Sequence, residues 1–227
     1  MIIESKWLEP TGFIDSESPA VRQFAERARV GATNPTETAI ALFTEVRDSI
    51  RYDPYSSSDR PENYRASSVA TSTSNWCVPK AVLLTAVARA SGIPARLGFA
   101  DVRNHLNSEK LQAQMGTDLF LWHGYSELLL EGRWVKASPA FNIELCERFG
   151  VKTMDFNGVD DALFHPFDEQ GRRHMEYVNQ RGSFDDLPLD NIMTTFASEY
   201  PTWFGSDDAT PSNATDAGDD AFSPTRR

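Results

Sequence analysis

A two-residue break, Glu131-Gly132, limits what this chain can fold into more than any other feature. It separates two runs, 119–130 and 133–140, that read as paired strands. A two-residue connection closes an antiparallel hairpin and fixes its register by itself. Counting outward from it sets Glu127 opposite Lys136, Tyr125 opposite Ser138 and His123 opposite Ala140. The Glu127–Lys136 pair puts opposite charges across from each other, which supports that register. His123, Tyr125 and Glu127 then share one face. Ser138 is diagonal to His123 on that face, and Asn142 is diagonal on the other side if the strand runs past Pro139.

A buried helix precedes the hairpin. The run Asn75-Trp76-Cys77-Val78-Pro79-Lys80-Ala81 leads into Val82, Leu83, Ala86, Val87 and Ala90 at helical spacing. Pro79 is tolerated in a first turn, where its missing N–H has no intrahelical partner. Ser91-Gly92-Ile93-Pro94 is a strong stop. Cys77 therefore sits in the first turn. Unpaired backbone N–H groups and the positive end of the helix dipole favour a thiolate there. That makes Cys77 a candidate nucleophile, although burial as a small apolar residue is the commoner fate of a free cysteine.

The remaining elements follow from punctuation. Ser18-Pro19 and Asn34-Pro35 each read as an N-cap with proline at the first helical position. The first helix ends at Gly31 and the second near Tyr52-Asp53-Pro54. Residues 55–74 read as a loop, 95–102 as a strand and 103–118 as a polar connection. A short helix is expected at 143–149, a strand or helix at 172–181, and a helix at 188–199. From Gly205 onward, five aspartates and few apolar residues predict a disordered acidic tail. The expected organisation is one domain over 1–204 and a tail over 205–227.

A net charge of −11, from 33 acidic and 22 basic residues, argues against a basic face for nucleic acid. Two cysteines are too few for a secreted disulfide framework. The first residues lack a signal-peptide pattern, and no apolar run approaches the ~20 residues that span a bilayer. These features predict a cytoplasmic protein that engages neither membrane nor nucleic acid. Oligomeric state is not legible.

A thiol nucleophile needs a base. Of four histidines, His123 is the best placed, near the start of a predicted strand. His105, His165 and His174 lie in polar or irregular surroundings. His165 and His174 with Asp160, Asp161 and Asp168 make a loose cluster without the tight spacing of zinc ligands. No metal or other cofactor is expected. Lys80, one turn past Cys77, reads as a solvated helix-face lysine, and Cys146 as an inert thiol. Trp76 reads equally as pocket wall or core.

In order along the chain, Cys77 at a helix start, Gly92-Ile93-Pro94-Ala95-Arg96, His123-Gly124-Tyr125-Ser126-Glu127, Trp134 and Ser138-Pro139 resemble the transglutaminase-like superfamily of papain-type cysteine enzymes. The likeness covers about residues 35–142. It implies an α+β fold with a papain-like/transglutaminase-like core, an antiparallel sheet packed on the Cys77 helix. It also implies acyl transfer on a peptide or isopeptide amide of a protein or peptide substrate. Cys77 would attack the carbonyl and His123 would move the proton. The family's third residue is an aspartate before proline, and here that place holds Ser138. Ser138 and Asn142 are both candidates to orient His123, with Asp101 or Asp118 as more remote ones. The loss of the aspartate also raises an alternative, a catalytically impaired relative that uses the same groove for binding.

Overall fold

The computed structural model describes residues 5–105, 108–164, 170–171 and 174–200. The expected acidic tail, and His165 and Asp168 of the loose His/Asp cluster, lie outside these residues.

Helices α1 (Pro19–Ala28) and α2 (Pro35–Ser49) start where the caps place them. Ser18 Oγ accepts from Val21 N at 3.3 Å, and Asn34 Oδ1 accepts from Glu37 N at 2.9 Å. Glu37 reaches back to Thr33 N at 2.8 Å, which fastens the second start. Two short parallel segments, β1 (Arg51–Tyr52) and β2 (Ser74–Asn75), pair across the region read as a loop. That region also holds a 3-10 turn at Pro61–Tyr64 and the one-turn helix α3 (Ala66–Val69). Such short pieces carry too little periodicity to show in sequence.

Helix α4 (Cys77–Ala90) is buried at every position from Cys77 to Arg89. Gly92, at φ +78°, reverses the chain, and Ile93 N closes onto Ala88 O at 2.9 Å. Strand β3 (Ala95–Asn104) follows. The polar connection contains helix α5 (Glu109–Met115), capped by Ser108. Strands β4 (Leu119–Leu130) and β5 (Arg133–Ala137) form the hairpin, with Glu127 opposite Lys136 as counted. Glu131 and Gly132 both take positive φ, which lets two residues reverse a twisted ribbon.

Helix α6 (Ile143–Phe149), strand β6 (Met175–Phe184) and helix α7 (Leu189–Glu199) complete the order. The ambiguous segment is thus a strand, and it adds to the sheet in the order β5-β4-β3-β6, antiparallel throughout. The fold is α+β, with α4 packed on this sheet. Ser126 Oγ donates to Ala81 O at 2.9 Å across that interface, and Thr85 Oγ1 donates to Ser126 Oγ at 3.0 Å. No helix among the described residues is long and apolar enough to cross a membrane.

Candidate active site

Cys77 and His123 border the same groove. The parallel β1–β2 pairing brings Tyr52 to it, and the last turn of α7 brings Phe196 and Tyr200. Trp76, Phe120 and Leu121 line it as well, and none of its lining residues carries a charge. Its cavity volume is about 40 Å³, well below the ~300–1,000 Å³ of small-molecule sites, so the groove is narrow as it stands.

Gly124 and Ser126 face α4, so His123 stands on the other face of β4 with Tyr125 and Glu127. A Cβ on Gly124 would meet the Val78 backbone at 3.0 Å, so strand and helix are in close contact next to Cys77. His123 is 4% exposed, and its ring packs on Phe164 at 4.5 Å between centroids. Its Nε2 lies 3.1 Å from Ser138 Oγ. Asn142 is turned elsewhere. Its Oδ1 accepts from Tyr52 N at 3.0 Å and its Nδ2 donates to Glu144 at 2.7 Å, so it pins β1 to the start of α6. Asp101 accepts from Trp122 N at 3.1 Å and from Asn179 and Arg181. Asp118 pairs with Arg103 at 3.2 Å. The diagonal relation between His123 and Ser138, read from the turn, is thus a hydrogen-bonding one.

Burial opposes the thiolate that a helix start favours. Burial pushes the Cys77 thiol up to about 12. Backbone amides of Gly124, Val78 and Cys77 itself, and the Lys80 ammonium, pull the other way but do not prevail. Burial likewise pushes His123 down to about 3. Burial thus favours the neutral form of both groups that border the groove.

Lys80 corrects an expectation, because it is fully buried rather than solvated. Its Nζ donates to Arg47 O at 2.9 Å and to Ile50 O, capping the end of α2. Burial lowers its pKa to about 7. Its sequence neighbours are apolar, which was the available signal. Trp76 is buried against Tyr64 and Phe196 and also walls the groove. Cys146 is buried and its thiol is pushed up to about 11 by burial. Among the described residues no group of His, Cys, Asp and Glu could hold a metal ion.

A family profile for the transglutaminase-like superfamily matches residues 22–139, more than half of the chain. The chain belongs to the transglutaminase-like superfamily. Its papain-like/transglutaminase-like α+β core is the arrangement just described. Among solved structures it is similar to a protein from Cytophaga hutchinsonii provisionally described as a cysteine protease, with 16% identity and a TM-score of 0.46. That similarity covers 78% of this chain and 53% of the other, so the chain spans about half the length of that structure. No curated protein matches the chain.

Proposed function

We propose that the protein carries out cysteine-dependent acyl transfer on peptide or isopeptide amides. The observation that supports this most is the juxtaposition of Cys77 and His123 on one uncharged groove, with Ser138 on the imidazole. With Nε2 on Ser138, Nδ1 is the nitrogen left to act as base. Cys77 Sγ attacks the carbonyl carbon and forms the C–S bond while its proton passes to Nδ1. The Cys77 backbone N–H at the start of α4 stabilises the oxyanion. The tetrahedral species collapses, the C–N bond breaks, and the leaving amine takes the proton from the imidazolium. Water or a second amine then attacks the thioester by the reverse sequence. Because burial favours the neutral form of both groups, proton transfer accompanies attack on this reading.

One observation favours a second reading. Serine carries no charge to stabilise an imidazolium, and His123 resists protonation where it lies. On that reading the groove binds a peptide without turning it over. Alkylation of Cys77 by iodoacetamide, followed by peptide mass at several pH values in wild type and His123→Ala, separates the two. Acyl transfer predicts that His123→Ala slows alkylation at pH 7 by about tenfold or more. A rate that ignores His123 overturns it and leaves the binding reading.

A further inference from the structure

The sheet contains an irregularity immediately before His123. Ala100 pairs with His123, but the next register pair is Val102 with Phe120. Asp101 on β3 therefore faces two residues of β4, Leu121 and Trp122, which is a β-bulge. Trp122 has φ +56°, in the left-handed region that a bulky residue rarely occupies. A bulge also leaves backbone N–H groups without ladder partners, and burying them unpaired is costly.

Side chains from elsewhere satisfy those groups. The Trp122 N–H donates to Asp101 Oδ1 at 3.1 Å. The Leu121 N–H donates to the Tyr200 hydroxyl at 2.7 Å, and that hydroxyl donates in turn to Leu119 O at 2.7 Å. The Trp122 indole Nε1 donates to Thr195 Oγ1 at 3.0 Å. Arg181 lies over the Trp122 ring at 4.5 Å and pairs with Asp101. Tyr200 and Thr195 belong to α7 and its cap, more than fifty residues past the end of the family match at residue 139.

A left-handed non-glycine residue persists only where its surroundings fix it. Here those surroundings are β3, β6 and the end of α7. Without them Trp122 relaxes toward extended geometry, the extra residue is taken up into the ladder, and the strand turns at the residue next to the base. We propose that Tyr200, acting with Asp101, is a positioning residue for His123, and that α7 holds the bulge that aims the imidazole. The functional consequence rests on the acyl-transfer reading above, while the positioning itself does not.

Tyr200→Phe tests this, because it keeps the ring against Phe196 (centroids 5.2 Å apart) and deletes only the hydroxyl. Two readouts are needed. In histidine-selective NMR the His123 ring signals should shift and broaden in Tyr200→Phe, while the protein still melts cooperatively, at a temperature lowered by the two backbone groups left without the hydroxyl. Unaltered His123 signals overturn the positioning whatever the chemistry does. In Cys77 alkylation, Tyr200→Phe should slow the rate at pH 7 by about tenfold, part of the ~10²–10⁴ a general base supplies. It should have no effect in a His123→Ala background. Equal slowing in both backgrounds shows a merely structural role and overturns the proposal. A rate indifferent to His123→Ala alone overturns acyl transfer instead, and the NMR result then decides the positioning by itself. Asp101→Asn, which keeps an oxygen toward the Trp122 N–H, should give the same pattern more weakly and guards against a folding defect in Tyr200→Phe.

Discussion

At the scale of single residues, the site is governed by burial. A thiol at a helix start receives backbone amides and a dipole, and each favours the anion. Cys77 receives them and still holds its proton to about 12, because it has been withdrawn from water. His123 is treated the same way with opposite sign. That has a consequence for stability. The unfolded chain protonates His123 near the ordinary imidazole value of about 6.5, whereas burial in the folded chain pushes it down to about 3. Between these values the unfolded state binds more protons, so this group's contribution to stability is full above 6.5 and is lost as pH falls toward 3. The slope is at most about 1.4 kcal/mol per pH unit for one proton. Lys80 and Cys77 act at higher pH, Lys80 from about 7 to 10.5 and Cys77 from 9 to about 12, so they leave this window alone. Urea unfolding at pH 7, 5.5 and 4 should therefore show a steeper acid loss for wild type than for His123→Gln. Parallel losses would show that His123 titrates normally in the folded protein.

At the scale of elements, the decisive contact is between α4 and β4. Gly124 permits it, since any Cβ there would meet Val78 Cα at 3.0 Å and Val78 Cγ2 at 3.3 Å. The Val78 backbone cannot swing aside as a long side chain could. Gly124→Ala should therefore lift the first turn of α4, with Cys77, away from the strand that carries His123. Overpacking of this kind costs roughly 1–3 kcal/mol. Reaction geometry is more sensitive, since a 1 Å misplacement can cost ~10²-fold in rate. We expect Cys77 alkylation to fall by at least about tenfold while the protein still melts cooperatively. Lowered stability with an unchanged rate would show that strand and helix shift together. The hairpin illustrates what an element reveals in advance. Its turn placed Glu127 against Lys136 and Ser138 beside His123, because two residues leave no freedom of register. It did not reveal the bulge at Trp122, which depends on residues 101 and 200, both remote in sequence.

At the scale of the whole molecule, the described ends of the chain are gathered by the far end of α4. Arg89 donates to Ala95 O at 2.9 Å, to Glu9 O at 2.7 Å and to Asp185 O at 2.8 Å. Nearby, Asp186 accepts from the backbone N–H groups of Gly12 and Phe13. Asp185 pairs with Lys6 at 3.0 Å. One guanidinium thus joins the N-terminal segment, the start of β3 and the connection into α7. Arg89→Ala should lower unfolding free energy by about 3 kcal/mol, since three charge-assisted hydrogen bonds go and buried carbonyls are left unpaired. Arg89→Lys should recover only part of it, because an ammonium lacks the planar fork that spans three directions. Denaturant midpoints measure both. A wild-type midpoint in Arg89→Ala would show that packing alone holds these segments.

The sequence by itself determined whatever is set by neighbours along the chain. It gave the helix starts at Pro19, Pro35 and Cys77, the stop after Ala90, the hairpin register and the family. Caps, breakers and two-residue turns act over a few bonds, so they can be read directly. Tertiary structure decided the rest. It chose Ser138 for the imidazole and gave Asn142 to Tyr52. It buried Lys80, made 175–184 a strand, and brought α7 to the groove. It also buried Cys77 and His123, which opposes the charged form of each. Desolvation depends on everything that surrounds a group, and no spacing along a chain records that.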